Sequence, residues 1–449
     1  MPTTTPRFAP PETVIEITRT LEQAGFEAWC VGGAIRDALL GGDPLDWDLA
    51  SPAHPEQVRE IFGRKRTIPV GIEFGTVSVL DDAGTPHEIT TFRRDVKTDG
   101  RHAEVEFGAS LDDDLARRDF TINAIAYRPR TEELRDPFDG QGDIERKVVR
   151  AVGDAQQRMR EDRLRALRAI RFAARYQFAI EPATRSAIEA SAPYLTRLSA
   201  ERVQQEIVKT LEQVDRPSVA FRVWRETGAL AVLVPALAHV NDVALATLDE
   251  LPRASAGGGA KPQRTSNRLA ALFLDASAPR VRDALTGLRF SKHETAWASA
   301  LVERWSTVGT ELASALQHRA ASDEQVRRWL SKLGRSYAGA FLRVAQARWR
   351  AERSAGRSAP TDASVRALHR RMRRSLYRDP LEVADLQVGG DDLRRAGIRA
   401  GPIYAKILNA LLEVVLAEPA RNTPEALMSE VPRLVAAFGD DAAQAHPHG

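Results

Sequence analysis

The sequence has a single cysteine, Cys30, among 449 residues. No internal disulfide can form, and a reducing, cytoplasmic setting is expected. Cys30 lies in the apolar run AWCVGG, where a small sulfur side chain reads as a buried strand residue rather than as a nucleophile. Long apolar runs are missing too: nothing approaches the ~20 consecutive residues that a membrane span needs. The opening MPTTTPRFAPPETV has no charged start followed by an apolar stretch, so no secretory signal is expected. Neither sign of charge dominates. Lys+Arg number 64 and Asp+Glu 61, a formal net of +3, so the placement of charges says more than their sum. The cations are mostly Arg, whose planar fork suits phosphates and bases; GC-rich coding accounts for the same bias. No repeat of fixed period stands out.

What is present is an ordinary globular balance, 43% hydrophobic and 28% charged, in a chain long enough for two to four domains. Residues 12–24 read as a helix, with Val14, Ile15, Ile17, Leu21 and Ala24 on one stripe. Strands are expected at Ala28–Val31, Thr76–Leu80, His87–Thr91 and Ile122–Tyr127, with the turn Gly32-Gly33 leading into a helix that runs through Leu40. Beyond Asp136-Pro137 the strand signal nearly vanishes and the periodicity is helical, interrupted by loop-like stretches at 253–267 and 353–362. The expected class is α+β: a small head with a mixed sheet, followed by an all-α remainder.

The chemistry-bearing pattern begins at GGDPLDWDLA. Asp46 and Asp48, two apart on an extended segment, share a face. Side by side they repel unless a cation lies between them, and Mg²⁺ prefers oxygen ligands in phosphate company. Glu88, in the strand-like HEITTF, is the candidate third carboxylate of a two-metal site. An isolated Asp-x-Asp is as readily a solvated loop. The context argues otherwise: Gly32 and Gly33 open a helix that carries Arg36, which offers backbone amides and a cation to a triphosphate.

Further along, EDRLRALRAIR spaces Asp162, Arg165, Arg168 and Arg171 by three, on one helix face. Surface salt bridges make the same pattern, but three stacked arginines beside Leu164, Leu167, Ile170 and Phe172 are less routine.

VGGAIRDALLGG…LDWDLA resembles the opening of the class II CCA-adding enzyme and bacterial poly(A) polymerase family, within the polymerase-β-like nucleotidyltransferases. DLARRDFTINAIAY (114–127), DPFDGQGDIERKVVRAV (136–152), EDRLRALRAIRFAARYQF (161–178), LSAERVQQEIVKTL (198–211) and 385–422 are similar to the family's later motifs, in the family's order. The resemblance implies catalysis at Asp46, Asp48 and Glu88 with two Mg²⁺ ions, the aspartates serving as metal ligands. It implies nucleotide binding by Gly32, Gly33, Arg36, Arg118, Asp162, Arg165, Arg168 and Arg171, with Asp119 and Asn123 organising the head. CTP and ATP are the implied substrates and the tRNA 3′ end the partner. In this reading Asp162 and Arg165 read the incoming base: a carboxylate accepts from the exocyclic amine of C or A and repels the carbonyl of G or U.

Within the family, PVGIEFGTVSV (69–79) resembles the CCA-adding type, and TFRRDVKTDGRHAEVEF (91–107) resembles the loop used in switching from C to A. Poly(A) synthesis is the alternative activity, and a catalytically inactive RNA-binding relative is the reading from another class. His-Asp occurs nowhere as a dipeptide, so no HD phosphohydrolase centre is expected. The expected domains are a head at 1–140, a helical neck at 141–212, a helical body at 213–352 and a helical tail at 353–449. RALHRRMRRSLYR (366–378), with six arginines, is the tail-side candidate for phosphate contact. Oligomeric state is not legible.

Overall fold

The computed structural model describes residues 8–44, 46–98, 103–252, 261–318 and 321–444. The chain divides into two compact units, Met1–His239 with Gly287–Arg289, and Val240–Thr286 with Phe290–Gly449.

The first unit is built on a seven-stranded mixed sheet. Its strands are β1 (Trp29–Val31), β2 (Asp48–Ser51), β3 (Thr67–Ile68), β4 (Thr76–Leu80) and β5 (Pro86–Thr91). After an antiparallel hairpin of β6 (Arg93–Thr98) and β7 (Ala103–Phe107) come β8 (Ala126–Arg128) and β9 (Glu133–Arg135). The spatial order is β3-β4-β5-β2-β1-β8-β9. All pairs are antiparallel except β2 with β5. That parallel pair needs a crossover, which helix Pro55–Phe62 and strands β3 and β4 supply. The centre of the sheet is buried on both faces: Trp29, Cys30, Val31, Leu49 and Ala50 are all buried. Cys30 is fully enclosed between Leu49 and Tyr127 in the ladder, and burial pushes its thiol well above the usual range. One core packs Trp29, Val31, Ala50, Phe92, Leu111, Leu115, Ala124 and Ala126 together.

Helix Glu12–Gln23 buries Val14, Ile17, Thr18 and Leu21; of the stripe that the spacing predicts, Ile15 is only half-buried and Ala24, at the residue that caps the helix, is exposed. The expected strand over 122–127 is a 3₁₀ turn, Thr121–Asn123, followed by β8. Every residue there is buried, so periodicity carries no information. The turn is held by side-chain bonds of Asn123, described below.

Beyond the head the first unit is helical, and the residual strand signal is one two-residue parallel pair, Val148–Val149 with Ala179–Ile180. The second unit is helical, including Arg335–Ser354, Asp362–Arg378, Pro402–Ala417 and Pro424–Gln444. Helix Lys261–Leu272 begins inside the stretch expected to be a loop; residues 253–260 lie outside the described ones. Its polar residues are drawn inward by specific bonds: Asn267 accepts from the Trp297 indole at 3.1 Å and Arg268 donates to the Leu251 carbonyl at 2.9 Å. The other loop-like stretch shortens to the link between Arg335–Ser354 and Asp362–Arg378. Among the described residues no helix is long and apolar enough to cross a membrane.

Candidate active site

The floor of the site follows from strand geometry. Asp46 is exposed, Trp47 buried, Asp48 exposed and Leu49 buried, the period-2 alternation of an extended segment. In the parallel pair, Leu49 stands opposite Ile89. The residues one earlier, Asp48 and Glu88, therefore lie side by side on the opposite face from that buried pair. All three carboxylates line a cavity of about 620 Å³. None has an ion-pair partner among the described residues. Asp48 is reachable by water but closely walled, and partial desolvation pushes its carboxyl up to about 6, helped by the charges of Asp46 and Glu88 and opposed by Arg118.

The wall begins at Gly32, which has φ 74° and precedes helix Gly33–Leu39. A Cβ there would sit 2.9 Å from Arg118 Nη1, so the turn needs glycine both for its backbone and for the approach of this arginine. Arg118 donates to Asp114 at 3.1 Å, and its buried Nε has no hydrogen-bond partner. A buried donor without an acceptor is costly, and Arg118 itself lines the cavity. Arg36 lines the cavity but is 5% exposed and already engaged: it donates to Asp37 at 2.8 Å and to Asn123 at 2.5 Å, and lies over the rings of Phe172 and Tyr176. Asn123 in turn donates to Asp119 at 2.9 Å.

Helix Leu164–Tyr176 closes another side. Arg168 pairs with Asp119 at 2.6 Å, and Arg171 forms a buried pair with Glu206 at 2.7 Å. Burial alone would raise the Asp119 carboxyl; Arg168 and Asn123 overcome it and hold the group below its usual range. Asp162 is not on this helix. Its backbone is extended, in the break after helix Ala155–Glu161, and Arg163 caps the next helix. The expectation that four residues share one helical face therefore holds for three. Asp162 accepts from Arg202 at 2.7 Å and from the Leu164 amide at 3.0 Å. Arg165 donates to Glu161 at 2.8 Å and to the Arg117 carbonyl at 2.9 Å. Neither Asp162 nor Arg165 lines the cavity, whereas Asp46, Asp48, Glu88, Gly32, Gly33, Arg36, Arg118, Arg168 and Arg171 all do.

The cavity also takes in residues that sequence reasoning missed: Arg93, Arg117, Phe172, Arg175, Lys209 and Gln213. Arg175 could have been found from its i+4 spacing after Arg171. Lys209 and Gln213 come from helix Ala200–Gln213, and no local pattern marks them. No three acidic, His or Cys side chains among the described residues could by themselves hold a metal ion. A cation here would need phosphate and water oxygens as well, which is how Mg²⁺ is ordinarily bound.

Residues 28–150 match the poly A polymerase head domain, and residues 177–240 match the probable RNA and SrmB- binding site of polymerase A. The CCA-adding enzyme of Lacticaseibacillus paracasei is 43% identical over 243 residues, 54% of this chain and 59% of that one. Several such alignments span only about half of the relatives' length. The CCA-adding enzyme of Latilactobacillus sakei is 34% identical over 94% of this chain and 97% of its own. The crystal structure of the Bacillus stearothermophilus CCA-adding enzyme in complex with CTP superposes with a TM-score of 0.73 at 31% identity, covering 96% of this chain and all of that one. With its carboxylate floor, its arginine wall and likeness along nearly its whole length, the chain belongs to the class II CCA-adding enzyme family of nucleotidyltransferases.

Proposed function

We propose that this enzyme builds and repairs the 3′-terminal CCA of tRNA, without a nucleic-acid template, from CTP and ATP. The observation that carries the reading is the floor of the cavity: Asp46, Asp48 and Glu88 stand together with no ion-pair partner among the described residues, in a cavity that Arg118, Arg168 and Arg171 also line. Enzymes of this family use a divalent metal. The donor set fits one, because only hard oxygen ligands are present, and desolvation together with the charges of Asp46 and Glu88 raises Asp48. Asp46 and Asp48 would hold two Mg²⁺ ions, with Glu88 beside them; bound there, the ions would activate the primer hydroxyl and neutralise the departing phosphates.

The chain's own residues do the rest. The Gly32 turn and Arg118 cradle the triphosphate. Asn123 and Asp119 hold Arg36 and Arg168 in place. Asp162 and Arg165 select the base by hydrogen bonding and repulsion, for which Asp162 must exchange its Arg202 contact for the base. The division into head (1–140), neck (141–212), body (213–352) and tail (353–449) assigns catalysis to the first, base selection to the second and the grip on tRNA to the last. On helix Asp362–Arg378, the exposed Arg366, Arg370 and Arg373 form a stripe suited to RNA phosphates. A cytoplasmic location accords with a tRNA substrate. The test is incubation of the protein with tRNA lacking CCA, Mg²⁺ and each labelled nucleotide, followed by sequencing of product ends. The expected product ends in CCA. A run of A would make it a poly(A) polymerase, and no incorporation would refute the proposal.

A further inference from the structure

Six arginines of the cavity wall are paired with carboxylates of the protein itself. Arg36 and Arg175 share Asp37, Arg117 and Arg118 share Asp114, Arg168 pairs with Asp119, and Arg171 with Glu206. Lys209 lines the same cavity and has no carboxylate partner among the described residues. Its placement is fixed by its helix. Glu206 lies three residues earlier and binds Arg171; Gln213 lies four later and accepts from Arg171 and Arg175 at 3.3 Å. The three share one face, so the anchoring of Glu206 and Gln213 turns the Lys209 ammonium toward the arginine wall and the cavity.

An ammonium is a compact point charge on a flexible stem, with donors in no fixed plane. It discriminates poorly between base edges but suits phosphate oxygens, which CTP and ATP have in common. We propose that Lys209 binds the β- and γ-phosphates of the incoming nucleotide and neutralises the leaving pyrophosphate. This rests on the nucleotidyltransferase reading above. In the step it serves, the primer 3′-oxygen forms a bond to the α-phosphorus. The α–β bridging bond breaks with its electron pair going to pyrophosphate, and the hydroxyl proton passes to solvent. Charge accumulates on the leaving group, where an unpaired cation contributes most.

The experiment compares Lys209→Met and Lys209→Arg with the wild type on tRNA lacking CCA. In the Met variant KM for CTP and for ATP should both rise by roughly tenfold, the loss expected of one charged hydrogen bond, while KM for tRNA and the preference among nucleotides stay unchanged. The Arg variant should recover most of the loss. Affinity for CTP should fall in the Met variant while affinity for CMP, which lacks the β- and γ-phosphates, should not. That difference separates phosphate contact from a general disturbance, even if the variant melts earlier. Normal nucleotide KM values, an equal loss of CMP affinity, or a loss confined to tRNA would overturn the assignment. A wild type that adds nothing to tRNA sinks the proposed function; an active wild type with an unaffected Met variant sinks only the role of Lys209.

Discussion

At the scale of single residues, the site is a place where function opposes stability. Asp48 has a folded-state pKa near 6, above the ordinary value of 3.8. A raised carboxylate destabilises the fold: the penalty is absent below the unfolded-state pKa, grows as pH rises from there to about 6, and is complete at neutral pH. In the absence of divalent cations, Asp48→Asn should therefore raise the unfolding free energy at pH 7, by on the order of 1 kcal/mol once solvent screening of a water-reachable group is allowed for. The same change, like Asp46→Ala, should abolish incorporation of both CTP and ATP while leaving tRNA binding nearly intact. Denaturant titration beside a primer-extension assay checks both halves, and near-normal turnover would refute the metal assignment. Asp162 tests selectivity instead. Asp162→Ala should relax rejection of UTP and GTP by about one to two orders of magnitude, since one base-edge pairing is worth roughly 1–3 kcal/mol. Unchanged preference in mixed-nucleotide competition would mean that the Asp162–Arg202 pair is structural only.

At the scale of elements, two segments have separable roles. The hairpin of β6 and β7 directly follows β5, the strand that carries Glu88, and its tip, 99–102, lies outside the described residues. Shortening the chain between Arg94 and Ala103 should spare C addition and impair the final A, as read by product sequencing; equal loss of both would remove the hairpin from the switch. The second segment is helix Asp362–Arg378. Arg366, Arg370 and Arg373 are exposed at spacings of four and three, while Arg371 is held by Asp323 at 2.5 Å. Replacing the three exposed arginines with alanine should weaken tRNA binding and flatten its salt dependence, each phosphate contact contributing about one unit of slope. KM for CTP should not move. A merely solvated helix predicts an unchanged slope.

At the scale of the whole molecule, the two compact units make their own prediction. Each has a core of its own, so calorimetry should resolve two transitions rather than one. Arg171 and Glu206, 4% and 1% exposed, form a buried ion pair inside the first unit. Removing one partner of such a pair leaves an uncompensated charge and costs about 3–5 kcal/mol. Glu206→Ala should accordingly lower the transition of the first unit and leave the other in place. A single transition that shifts as a whole would show that the units unfold together.

The sequence by itself determined what depends on near neighbours. Alternation around Trp47 and Leu49 turned Asp46 and Asp48 to one face, helical spacing marked the buried stripe of Glu12–Gln23, and the run of motifs identified the chemistry. Local patterns fail where every residue is buried, as across 122–127, and where polar residues are satisfied by distant partners, as at Asn267 and Arg268. They also missed the break at Asp162, because a three-residue spacing cannot show where one helix ends and the next begins. Only the tertiary structure placed Glu88 beside Asp48, through a parallel pairing of strands distant in the chain. It alone carried Lys209 and Gln213 into the cavity and showed which arginines already have carboxylates of their own. These are long-range contacts, set by how elements pack rather than by the period of any one of them, and they decide which charges remain for a substrate.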